Sequence, residues 1–200
     1  MKNTVVVGLV VIVAAVAAYI VQQNYYISYE AQQETQQEAQ QIATDGRVAF
    51  TLPDLQGVER QLSEWDGEAR LVNFWATWCA PCRREIPLLK QLQHDKFEQR
   101  LQVIGVAVDY MEDVVAYAEE ARFNYPVLVG QENAMAAAES SGVEFIGLPF
   151  TMVITSDGTL VVTHMGEIKH EHVERIASVM RDLEGGALDL GGARLALSAL

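Results

Sequence analysis

The sequence predicts an α/β domain: a central mixed sheet with helices on both faces. Three observations predict it. "RLVNFW" (70–75) and "LQVIGVAVD" (101–109) are short, mainly apolar runs that read as strands buried on both faces. Helical patterns alternate with such runs, which suits a layered sheet. Further on, "FTMVIT" and "LVVTHMG" flank "SDG", a hairpin signal, and a last amphipathic helix follows at 171–184.

The elements follow in chain order. Lys2 precedes an uncharged run from Val5 to Val21. As a helix this run spans about 25 Å, the lower limit for a hydrocarbon core. A cleaved signal peptide is the rival reading, because Ala15-Val16-Ala17 offers small residues at cleavage-like spacing. The run exceeds the usual apolar region of such peptides, and Tyr19, Tyr25, Tyr26 and Tyr29 suit an aromatic belt, so residues 1–21 are expected to be a retained anchor. Lys2 is the only basic residue before Arg47, so the N-terminus is expected to stay in the cytoplasm and the rest to be exported. Residues 22–46, with "QQETQQEAQQ", read as a Gln/Glu-rich spacer without a sustained apolar heptad.

The globular domain is expected over 47–184. It begins with "VAFTLPDLQGVERQLSEW", a hairpin with Asp54 to Gly57 in its turn region. Between the strands at 70–75 and 101–109, a helical pattern runs from Pro81 to about Gln99, with Ile86, Leu88, Leu89 and Leu92 as its apolar stripe and Pro87 as an expected kink. A helix at 112–123, a short strand at 125–130 and a helix closing at Gly142 come next. The helix at 171–184 ends at Gly185-Gly186, and the tail at 185–200 is expected to be a loosely docked end.

Composition narrows the function. Asp and Glu total 27 against 14 Lys and Arg, a net charge of −13. Nucleic acid is a poor partner for such a chain, since phosphates demand basic residues. The charge reads as a solubility feature.

Both cysteines of the chain lie in "FWATWCAPCRREIP" (74–87), with Ala80 and Pro81 between them. A strand ends at Trp75, and Pro81 suits the first turn of a helix because its missing N–H is not needed there. Cys79 therefore sits at a helix N-terminus, where unpaired N–H groups and the dipole favour thiolate over thiol. Cys82 lies one turn further in. The first cysteine is the natural nucleophile, and the second resolves the mixed disulfide that it forms. Zinc is disfavoured, because no third cysteine exists and "HEH" (170–172) opens a helix. A structural staple is disfavoured too, since so short a loop constrains the unfolded chain little.

"LVNFWATWCAPCRREIP" resembles the active-site segment of the thioredoxin superfamily, and specifically its membrane-tethered TlpA/ResA-like branch. The resemblance covers about 47–184. Trp78 precedes the first cysteine, as in thioredoxins generally. Asn73 stands where classical thioredoxin has a buried Asp, and Glu85 follows Cys82 by three residues, both features of this branch. "GLPFTMVITSDG" is similar to the family's cis-proline strand and hairpin, and the N-terminal hairpin also fits. The resemblance thus implies a thioredoxin-like fold with an added N-terminal hairpin.

It also implies roles. Pro149, if cis, exposes the Leu148 backbone beside Cys79, so that an extended substrate strand can pair with it. An ordinary turn proline is the plainer reading. Glu85 shares a helix face with Cys82; buried, it would have a raised pKa and relay a proton, and exposed it is one more carboxylate of "RRE". Trp75 is expected in the core. Trp78, Ala80, Pro81, Leu148 and Pro149 are expected to contact substrate, with Cys79, Cys82 and Glu85 carrying the chemistry. The implied enzyme is a protein-disulfide oxidoreductase without a cofactor or metal. It is expected at the cytoplasmic membrane with its domain outside, reducing exported proteins in cytochrome c maturation or copper-centre assembly. Its electrons would come from a membrane thiol donor. A disulfide-forming oxidant of the same fold is an alternative. A peroxidase lacks the expected Pro and Thr spacing around a single cysteine. A copper chaperone would need a further soft ligand; His164 is the candidate, and nothing in the sequence places it by the pair.

Overall fold

The computed structural model describes residues 46–95, 101–139, 142 and 144–200, together with Tyr19, Ile20, Gln22, Gln23 and Tyr25. The chain divides into two units, Met1–Gln41 and Ile42–Leu200. In the first, the five described residues are helical, and the Gln23 amide donates to the Tyr19 hydroxyl at 3.0 Å. Among the described residues no helix is long and apolar enough to cross a membrane. Apart from those five residues and Gly46, the expected anchor and spacer lie outside the described residues.

The second unit opens with β1 (Thr51–Pro53) and β2 (Glu59–Gln61), an antiparallel pair. The Asp54 carboxylate ties the turn by accepting from the Gln56 and Val58 N–H groups. A single 3-10 turn, Leu62–Trp65, leads to β3 (Ala69–Trp75). Then come α1 (Ala80–His94), β4 (Leu101–Val108), α2 (Met111–Ala121), β5 (Val127–Gly130) and α3 (Glu132–Glu139). The hairpin of β6 (Phe150–Ile154) and β7 (Leu160–Met165) follows, then α4 (His170–Glu184) and α5 (Leu190–Leu197).

The main sheet has the order β5-β4-β3-β6-β7. The first three are mutually parallel, and β6 and β7 are antiparallel additions, which gives the expected mixed sheet. Every residue of the central strand β3 is buried. Because successive side chains alternate between faces, Leu71 and Trp75 enter a core with α1, α4 and α5, whereas Val72 and Phe74 enter a second core with α3 and the N-terminal hairpin.

Two features depart from the sequence reading. Helix α1 continues through Pro87 but stops at His94, where the Asp95 N–H closes the last turn on the Gln91 carbonyl. The C-terminal tail is not loose. Asp189 caps α5 by accepting from the Gly192 N–H at 2.7 Å, Ala193 and Leu197 are fully buried, and Arg194 donates to the Leu160 carbonyl at 2.9 Å. The domain's core therefore extends past Glu184, because α5 packs on α4 and β7.

Candidate active site

The site starts where β3 ends. Asp109, just after β4, reaches across and accepts from both the N–H and the hydroxyl of Thr77, at 2.9 and 2.6 Å. That carboxylate holds the Ala76–Trp78 turn against the neighbouring strand. Cys79 then caps α1 with an extended backbone, and its Sγ accepts from the Cys82 N–H at 3.3 Å. A helix-terminal N–H is thus directed at the first sulfur, as the sequence predicts. The two cysteines form a disulfide with Cα atoms 5.3 Å apart. Cys79 is 5 % exposed and Cys82 is fully buried, so the first cysteine is the less covered of the two.

Trp75 and Trp78 separate as expected. Trp75 is buried against the rings of Tyr117 and Phe123, whereas Trp78 is 69 % exposed beside the cysteines. Ala80 is exposed and Pro81 half-buried at the start of α1.

The Leu148–Pro149 bond is cis. Register brings it to the cysteines: β6 pairs with β3, with Phe150 opposite Phe74, so Pro149 sits at the level of Trp75 and the cysteine turn. Leu148 packs on the same apolar cluster as both sulfurs. The Pro149 carbonyl accepts from the Gly166 N–H at 2.9 Å, which ties the cis-proline to the β7–α4 loop.

Glu85 is buried, at 1 % exposure. Its Oε1 accepts from Asn73 Nδ2 at 2.7 Å and its Oε2 from the Ile168 N–H at 2.6 Å. Burial pushes its carboxyl up to about 7, further than these two hydrogen bonds pull it down. Glu167 adds to the rise by like charge, although Arg84 binds Glu167 through two nitrogens at 3.0 and 2.6 Å. The surface reading of "RRE" therefore fails for Glu85 and holds for Arg83 and Arg84, which are exposed. The His164 and His172 rings meet at a tilt of 60°, with centroids 4.8 Å apart.

Three groups at this site lay beyond the sequence reading: Asp109, the Ile168 N–H, and Thr151, whose hydroxyl accepts from Asn73 Nδ2 at 3.1 Å. The signal available for Thr151 was a polar residue within a buried strand.

These features can be set beside known proteins. The AhpC/TSA family model matches residues 43–163. The chain belongs to the AhpC/TSA family, as a ResA-like thiol-disulfide oxidoreductase. It is 31 % identical over 127 residues to the thiol-disulfide oxidoreductase ResA of Geobacillus kaustophilus, covering 63 % of this chain and 71 % of that protein. To the thioredoxin-like protein YneN of Bacillus subtilis it is 30 % identical over 156 residues, covering 76 % of this chain and 85 % of the other. Among solved structures, a thiol:disulfide interchange protein of the thioredoxin family from Chlorobium tepidum superposes with a TM-score of 0.60 at 26 % identity. That match covers 68 % of this chain and 94 % of the other. The fold of this ResA-like chain is accordingly thioredoxin-like, with Cys79 and Cys82 as its CxxC pair.

Proposed function

We propose that this ResA-like chain is a disulfide reductase acting outside the cytoplasm on exported proteins. The observation that carries the reading is the unequal setting of the two sulfurs: Cys79 at the helix cap and Cys82 buried one turn in. The Cys79 thiolate attacks a substrate disulfide, and one substrate sulfur leaves. Glu85 takes the proton from the Cys82 thiol. Cys82 then attacks Cys79 Sγ, the second substrate sulfur leaves, and the Cys79–Cys82 disulfide remains. The protein's dithiol is oxidised by two electrons and the substrate's disulfide is reduced to two thiols. Trp78, Ala80, Pro81, Leu148 and Pro149 form the surface that receives the substrate strand, pairing it through backbone groups rather than a fixed sequence.

Direction, compartment and partners come from the resemblance to the ResA-like branch. On that basis residues 1–21 anchor the chain, 22–46 hold the domain off the membrane, and a membrane thiol donor returns electrons to the pair. Cytochrome c maturation and copper-centre assembly are the processes such a reductase serves. An oxidant of the same fold would run the same steps in reverse.

The test is a trap. Cys82→Ser is expected to accumulate a mixed disulfide between Cys79 and exported partners in cells, read by non-reducing electrophoresis and mass spectrometry. A Cys82→Ser variant that captures nothing, while Cys79→Ser captures partners, would reverse the assignment of nucleophile and resolver. Pair thiols found largely oxidised without dependence on any electron donor would favour the oxidant.

A further inference from the structure

Asn73 occupies the middle of the central strand, 1 % exposed, paired with Thr151 of β6 on one side and Gly105 of β4 on the other. Its Nδ2 donates both hydrogens, to Glu85 Oε1 at 2.7 Å and to Thr151 Oγ1 at 3.1 Å. Its Oδ1 is buried and has no hydrogen-bond partner among the described residues. A carboxamide is planar, so with Nδ2 turned towards β6 its oxygen is turned towards β4. Another unpartnered buried group lies on that side. A Cβ built on Gly105 would lie 3.2 Å from Trp75 Nε1, and that indole N–H also has no acceptor among the described residues.

This inventory suits the ionised form of Glu85 best. With the carboxylate ionised, each of its oxygens meets an N–H, from Asn73 and from Ile168. With the carboxyl protonated on Oε1, a hydroxyl would point at the Asn73 N–H, donor against donor. The one buried acceptor of this group without a donor is Asn73 Oδ1. A half-turn of the amide brings it round at almost no change in shape, because the two ends of a carboxamide are nearly isosteric. The Glu85 O–H then donates to Oδ1. Thr151 tolerates the exchange, since a hydroxyl accepts in one arrangement and donates in the other.

We propose that Asn73 is a positioning residue whose side-chain amide turns over as Glu85 gains and loses its proton, with the Thr151 hydroxyl changing from acceptor to donor in step. In this way both charge states of Glu85 keep a hydrogen-bond partner inside the core, where an unmatched polar group is costly. The arrangement is biased: the turned amide brings its N–H to the Trp75 side, where a second donor waits, so the indole favours the ionised form.

Other groups bear on Glu85 as well. Glu167, on the β7–α4 loop, acts by like charge and is paired with Arg84 of α1. Tyr125, ahead of β5, is held up first by burial and then by the Glu85 charge. The cysteines are taken out of the titration by keeping their disulfide closed.

For its use in turnover the inference rests on Glu85 being the proton carrier; the turnover of the amide does not. The test uses labelled full-length protein with the disulfide intact. Carbon NMR follows the Glu85 carboxyl through its midpoint, and proton NOEs follow the Asn73 NH2 group. Above the midpoint the NH2 protons are expected to contact Thr151, and below it the Trp75 indole proton. Glu85→Gln, which carries an NH2 group in place of one carboxylate oxygen, is expected to show the low-pH pattern at every pH. NOEs that stay the same on both sides of the midpoint, or a Glu85→Gln variant that keeps the Thr151 contact, would overturn the proposal. The proton-carrier reading is judged separately, from the thiol-exchange rate of Glu85→Gln. A wild-type rate there sinks that reading and leaves the amide result standing.

Discussion

Glu85 shows how one buried residue ties the site to stability. Its folded midpoint lies at about 7, against 4.5 for the ordinary side chain, and burial is the largest cause. The sign follows. Below about pH 4.5 both folded and unfolded chains carry the proton, and stability is full. As the pH rises towards 7 the unfolded chain releases its proton and the folded one holds it, so stability falls. A rise of this size corresponds to about 3 kcal/mol lost across that window. Glu85→Gln is expected to remove most of this dependence, read as urea midpoints between pH 5 and pH 8; equal slopes in the two proteins would contradict the burial argument. At this scale the sequence exposed the residues whose chemistry is local. Cys79 and Cys82 follow from helix spacing, Glu85 from spacing together with the family resemblance, and Pro149 from a family-like strand. Thr151, Asp109 and Ile168 act on residues 32 to 83 positions away along the chain. Their partners are set by strand register, which no short window contains.

Elements were legible where their periodicity was long or their turns were marked. The buried strands, the hairpin around "SDG" and the amphipathic α4 all appear at the expected places. Helix α5 was missed because Leu190–Leu197 contains Gly191 and Gly192, poor helix formers that cost about 1 kcal/mol each relative to Ala. Asp189 was the clue, a capping residue placed before the first turn. The helix packs on β7, the edge strand of the sheet, and its Arg194 occupies one carbonyl there, that of Leu160. Leu197→Ala is expected to destabilise the domain by about 2–4 kcal/mol, because Leu197 is fully buried and its loss leaves a cavity. Chemical denaturation measures this. A change below about 0.5 kcal/mol, the range of surface substitutions, would return α5 to the status of a loose end.

Seen whole, the domain places a fully buried central strand behind two sulfurs. The central strand β3 carries Asn73 and Trp75, and its C-terminal end launches the cysteine turn. The strands on either side supply Asp109 and Pro149, one to fix that turn and one to set the proposed substrate edge beside it. The β7–α4 loop closes the arrangement by joining the Pro149 carbonyl to Glu85 through Gly166 and Ile168. The central claim is that these parts carry out dithiol-disulfide exchange between Cys79, Cys82 and a protein disulfide. The direct measurement mixes the reduced full-length chain with a peptide holding one internal disulfide and quantifies all thiols by intact mass after alkylation. One peptide dithiol is expected for each Cys79–Cys82 disulfide formed, with Cys82→Ser stopping at a covalent adduct on Cys79. A peptide that stays oxidised, or full turnover by Cys82→Ser without an adduct, would contradict the account.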